Sequence, residues 1–202
     1  LLSGERQKRA PVQIEGGIQV KKKRILAMIL AVASCLSLAV SASAANTVAR
    51  KATDFRDFDK SAWYAEAVSA AVDNGLLYGK SATVIDPNGD MTRAEMAAII
   101  NRSFGCYKAA DISQYKDVAK SKWYYKDVAM AVQMGTYNGR SASSMAPDAP
   151  ISRQEAMTVV ARALELDYDS YSKTDLSAFT DRSEISNWAM PYVRAMVGAD
   201  YI

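Results

Sequence analysis

From Asp54 onward, apolar residues recur with a helical period in short stretches, separated by polar stretches rich in glycine, proline, asparagine and aspartate. Trp63, Ala67, Ala71 and Val72 fall on one face of a predicted helix, with Ser61 as its N-cap and Gly75 at its left-handed end. Residues 76–90 hold Gly79, Pro87, Asn88 and Gly89, which is turn chemistry spread over a span too long for a tight turn. Loops of that length in small helical units tend to be functional. Met96, Ile99, Ile100 and Phe104 form the apolar stripe of a second predicted helix, echoed downstream by Met157, Val160 and Leu164.

The second helix opens on Thr92-Arg93-Ala94-Glu95, and its echo on Ser152-Arg153-Gln154-Glu155. Both are capping boxes: the hydroxyl accepts from the third helical amide while the glutamate reaches back to the cap amide. Capping asks nothing of the arginine between them, and a cation there opposes the positive end of the helix dipole. Arg93 and Arg153 therefore have a job outside their own helix, either in holding a ligand or in an ion pair with a neighbouring repeat.

These echoes belong to one internal repeat. Shifting the chain by 60 positions lays residues 54–105 on residues 114–165 without a gap, and 16 of the 52 pairs are identical. The identities concentrate at Asp57/Asp117, Trp63/Trp123, Tyr64/Tyr124, Gly75/Gly135, Gly79/Gly139, Ser81/Ser141, Pro87/Pro147, Arg93/Arg153, Glu95/Glu155 and Arg102/Arg162. A third copy begins at Phe179-Thr180-Asp181 and runs through Trp188, so residues 178–202 read as a partial copy with its second helix lacking. Residues 166–177, rich in Asp, Ser and Tyr, read as the connection to it.

The first 45 residues have a different grammar. Lys21-Lys22-Lys23-Arg24 precedes sixteen uncharged residues, 25–40, and then Ala42-Ser43-Ala44. This order predicts a secretory signal peptide over residues 20–44, with the mature chain starting near Ala45. The run is short of the roughly 20 residues that span a bilayer, so membrane contact is expected only through this peptide. Val32-Ala33-Ser34-Cys35 resembles a lipoprotein cleavage box, but the apolar run continues past it to Val40. Residues 1–19 fit no signal-peptide layout and are expected to be upstream read-through or unstructured, with translation starting at Val20.

Composition then removes whole classes of function. Half of the chain is apolar, enough to bury a core. The net charge of +3 comes from the leader, because from Ala45 onward 18 basic residues meet 20 acidic ones. With no basic run there, nucleic acid is not an expected partner. Histidine is absent, which excludes His-based triads and His-metal sites. Two cysteines, Cys35 and Cys106, build neither a disulfide framework nor a zinc site, and no metal or cofactor is implied. The acids are spread over caps and loops with no catalytic pair among them, so no enzyme is expected in this stretch.

Phe-x-Asp, Trp-Tyr, Gly-x-x-x-Gly, Pro and Thr-Arg-Ala-Glu, in that order and spacing, resemble the S-layer homology repeat. The resemblance covers residues 54–202, with departures at Asp86-Pro87, Ala146-Pro147 and Ser152-Arg153-Gln154-Glu155. It implies an all-α module whose repeats, residues 54–105, 114–165 and 178–202, pack around a pseudo-threefold axis. It also implies noncovalent anchoring to a secondary cell-wall polysaccharide, often one with pyruvylated sugars, at the cell wall or S-layer. The alternative is the targeting module of a secreted polysaccharide hydrolase. An arginine fork among helix N-terminal amides suits a ketal carboxylate, which nominates Arg93 and Arg153. Gly79, Lys80, Ser81 and Gly139, Arg140, Ser141 would supply close backbone approach, a hydroxyl and a second cation. Trp63 and Trp123 are candidates for sugar stacking, although their apolar face points more to core packing. Asp57 and Asp117 are candidates for ligand hydroxyls, with turn or cap duty the competing role.

Overall fold

The computed structural model describes residues 50–202. The expected read-through segment 1–19, the signal peptide 20–44 and Cys35 lie outside the described residues. The described residues are all-α, as the resemblance implies: α1 (Ala65–Asp73), α2 (Arg93–Phe104), α3 (Tyr125–Gln133), α4 (Arg153–Ala163) and α5 (Met190–Gly198). Two 3-10 turns, Ala52–Asp54 and Arg182–Glu184, and an isolated bridge between Thr92 and Pro150 complete the set. Among the described residues no helix is long and apolar enough to cross a membrane.

The boundaries follow from local chemistry. Thr92 and Ser152 accept from the amides of Glu95 and Glu155, whose carboxylates reach back to the cap amides, so both capping boxes are formed. α2 ends on Gly105 at φ 64, and α1 and α3 are followed by Gly75 at φ 66 and Gly135 at φ 77, all left-handed. Copy two closes α4 with Glu165 at φ 51, where copy one has glycine. Ser61 does not cap α1: its amide and hydroxyl both bond Asp59 Oδ1 at 2.8 and 2.7 Å, and the helix starts four residues later. The aspartate two residues upstream outcompetes the helix for that hydroxyl.

Copies one and two supply two helices each and copy three one, yet the two helices of a copy are not packing partners. α2 of copy one packs on α3 of copy two, and α4 of copy two packs on α5 of copy three, with α2 also touching α4. The α2–α3 seam is lined by small residues: Ala94, Ala97 and Ala131 are at most 1% exposed, beside Val128, Ile112 and Tyr124. Alanines three apart let the helix backbones approach closely, as ridges settle into shallow grooves. The expected stripe is accordingly rotated. Ile100 is buried, but Met96 and Ile99 are half-buried and Phe104 is exposed. The tryptophans depart further from the expectation of core packing, Trp63 being 92% and Trp123 60% exposed. Tyr64 and Tyr124 take the inward place beside them, and Tyr124 is 1% exposed with its hydroxyl donating to Asp148.

Candidate functional site

Two grooves stand at equivalent places in the repeat. The first, about 450 Å³, is walled by residues 77–80, α2 and Trp123. The second, about 560 Å³, is walled by residues 136–140, α4 and Trp188. Gly79, Lys80, Glu95 and Arg102 of the first recur as Gly139, Arg140, Glu155 and Arg162 of the second, so the 60-residue shift that aligns the copies also aligns the grooves. In each, one copy supplies loop and helix, and the following copy supplies the exposed tryptophan.

The loops are held from beneath by the two aspartates. Asp57 accepts from the amides of Ile85 (2.9 Å) and Asp86 (2.7 Å). Asp117 accepts from Met145 (2.9 Å), Ala146 (2.7 Å) and the Ser144 hydroxyl (2.7 Å). The Ile85 amide is the main reason that the Asp57 carboxyl sits below its ordinary range. At Asp117 burial pushes upward, but the Met145 amide and Ser144 hydroxyl outweigh it and the net direction is down. These carboxylates are committed to the loop backbone, the turn duty foreseen for them as the competing role.

The glycines serve the same fold. A Cβ on Gly79 would lie 2.5 Å from the Phe55 ring and 2.7 Å from the Val84 carbonyl, and one on Gly139 would lie 2.4 Å from the Tyr115 ring. The close approach expected of them is thus to an aromatic ring of their own copy. Ser81 and Ser141 accept from amides two or three residues on and turn the loop. Lys80 and Arg140 do reach the grooves, where Lys80 pairs with Glu95 at 2.7 Å and Arg140 with Glu155 at 3.2 Å.

The two capping-box arginines, equivalent in sequence, have different surroundings. Arg93 is 5% exposed and crosses into copy two. Its Nε donates to the Met145 carbonyl (2.9 Å), and its terminal nitrogens donate to Glu155 (2.9 Å) and the Asn138 carbonyl (3.2 Å). The guanidinium lies over the Tyr137 ring at 5.2 Å, at the floor of the second groove. This is the ion pair with a neighbouring repeat. Arg153 is exposed and lines neither groove; it borders a separate cavity of mixed lining with Met157, Phe179, Val193, Asp181 and Glu184. Trp63 likewise lines neither groove.

Sequence reasoning passed over Arg102, Arg162 and Trp188. Arg102 lies 4.2 Å over the Tyr78 ring and donates to the Leu76 carbonyl, and Arg162 lies 4.8 Å over Tyr192 and donates to its hydroxyl. The identity of Arg102 with Arg162 and the alignment of Trp188 with Trp123 were the available signals. The lining charge also differs: Lys80 and Arg102 against Asp86, Asp90 and Glu95 leave −1, whereas Arg93, Arg140 and Arg162 against Glu155 leave +2. Burial pushes Glu155 upward, but the Ser152 amide and the two arginines outweigh it, and its carboxyl sits below the ordinary range.

Among the described residues the all-α repeat thus builds one aromatic-walled, charged groove at each copy junction. The S-layer homology domain family matches residues 54–97 and 114–157, and the chain belongs to this family through those two repeats. Among its relatives, the surface-layer 125 kDa protein of Lysinibacillus sphaericus is 34% identical over 166 residues, covering 82% of this chain and 14% of that protein. An endoglucanase of Bacillus sp. (strain KSM-635) is 27% identical over 85% of this chain and 18% of its own length. The S-layer protein sap of Bacillus anthracis is 22% identical over 82% and 20%. The chain thus spans under a fifth of the first two relatives. An S-layer homology domain is a non-catalytic surface-anchoring module, so these repeats belong to a secreted protein of the cell surface.

Proposed function

We propose that the repeats anchor the protein noncovalently to the cell wall by holding a secondary cell-wall polysaccharide, with its charged sugars, in the two grooves. One observation carries the reading: the grooves recur at the repeat period with a cation, a ring-stacked arginine and an exposed tryptophan each. Sugar rings stack on exposed indole, and guanidinium groups suit carboxylate-bearing sugars. The same recurrence supports arranging the copies about a pseudo-threefold axis. Export through residues 20–44, and repeats bounded at 54–105, 114–165 and 178–202, complete the proposal. The test is sedimentation of the full chain with wall sacculi. It should pellet with sacculi that retain their polysaccharide and stay soluble with stripped ones, and Trp123→Ala with Trp188→Ala should abolish pelleting without lowering Tm. Equal pelleting with stripped walls would overturn the reading.

A second reading is favoured by the glycanase relatives, an endoglucanase and the exoglucanase XynX of Acetivibrio thermocellus. There the repeats would be the targeting module of a secreted polysaccharide hydrolase. Expression of the whole gene followed by a glycan-hydrolysis assay separates the two.

A further inference from the structure

A third concavity of about 440 Å³, sharing no lining residue with the grooves, lies between residues 172–177 and α5. Its charged lining is Lys173, Arg182 and Arg194 against Asp175 alone, and that acid is already occupied by the Ser177 amide (2.9 Å) and hydroxyl (2.7 Å). Three cations and one carboxylate line the pocket for a net of +2; the Asp175 carboxyl is held below its ordinary range by the Ser177 hydroxyl and amide and by Arg182, and so stays charged.

Arg194 is the centre of it. Counted six positions on from the tryptophan, copy one has Ser69 and copy two Ala129, so an arginine here is peculiar to copy three. One terminal nitrogen donates to the Ser172 carbonyl, while the Nε–H is buried and finds no protein acceptor. Lys173 forms no ion pair among the described residues, and Arg182 gives one nitrogen to the Phe179 carbonyl.

The pocket is also held in shape before any ligand arrives. Gly198 lets the connecting segment lie directly on α5: a Cβ there would come within 2.5 Å of both Thr174 Oγ1 and the Tyr171 ring. Thr174 and Tyr171 are joined by a backbone bond of 3.0 Å, which fixes the loop that presents Lys173. Arginine forks and a lysine ammonium on a fixed backbone are donors suited to an oxyanion.

We infer that Arg194, Arg182 and Lys173 form an oxyanion site for a phosphate or carboxylate group, built by copy three with the segment that leads into it and separate from the two grooves. It stands whether or not the grooves hold polysaccharide. The test is the melting temperature of the full chain in inorganic phosphate against chloride at matched ionic strength. Tm should rise with phosphate concentration, as for any ligand that binds only the folded state. Arg194→Ala, which installs the residue that copy two already carries, should weaken the apparent phosphate affinity about tenfold or more, the loss expected for a charged hydrogen bond. Lys173→Gln and Arg182→Gln, both exposed, should each weaken it in a protein that melts normally. Wall polysaccharide in place of phosphate gives the same Arg194-dependent rise if the anion is a polymer group, and none if the site takes the free ion. No phosphate effect on the unsubstituted chain, or one that survives Arg194→Ala, would overturn the assignment.

Discussion

Arg93→Ala and Arg153→Ala, identical changes at identical positions of the repeat, should have unequal effects on stability. Removing Arg93 strips a pair whose side chains are only 6% and 14% exposed, and leaves the Met145 and Asn138 carbonyls without their donor. Breaking one side of a buried pair costs about 3–5 kcal/mol. Arg140 remains on Glu155 at 3.2 Å, which places the loss near the lower end. At roughly 2–4 °C per kcal/mol for a domain of this size, Tm should fall by roughly 6–12 °C. Arg153 is exposed, and its removal should cost under about 0.5 kcal/mol. Circular dichroism melts of the full chain read both. Acid supplies the internal control. The folded Glu155 carboxyl lies below its ordinary 4.5, so its contribution is fully present above that value and is lost as pH falls through the lower, folded one. The gap between wild type and Arg93→Ala should therefore narrow in acid. Equal losses for the two arginines, or a gap that ignores pH, would refute the inter-copy ion pair.

Three further outcomes follow from the geometry. Gly79→Ala and Gly139→Ala should each destabilise by several kcal/mol, measured by urea unfolding, because the added methyl meets ring and carbonyl atoms at 2.4–2.7 Å. Glu165→Gly should raise Tm by roughly 2–4 °C through relief of about 1 kcal/mol of left-handed strain, with Gly105 in copy one as the precedent. Carboxyl-reduced wall polysaccharide should lose its sensitivity to Trp188→Ala and keep its sensitivity to Trp123→Ala in pelleting, since the second groove carries +2 and the first −1.

What could be read beforehand was whatever the chain settles within a few residues: both capping boxes, the left-handed glycines and the 60-residue period. Ser61 was misread because Asp59 competes for it over two residues, a contest that helix periodicity does not register. The buried alanine seam was missed because apolar counting favours Met, Ile and Phe over Ala, although small size is what lets α2 and α3 meet. Arg93 kept two open roles since its acceptors lie 45–62 residues away in the next copy. Trp63 and Trp123 read as part of an apolar helix face, but α1 and α3 begin two residues after them at Ala65 and Tyr125, so the helical period stops short of both indoles.

The pairing of α2 with α3 and of α4 with α5 sets the unit of duplication half a step out of phase with the unit of cohesion. Genetic exchange that adds or deletes one period brings in one second helix and one first helix together, and the position of the break decides whether they arrive as a packed pair. A break that respects the apparent copy boundary near Cys106 separates a mated pair, whereas one within residues 76–90 divides only a loop. Lineages that lengthen or shorten this array are therefore expected to recombine inside the copies.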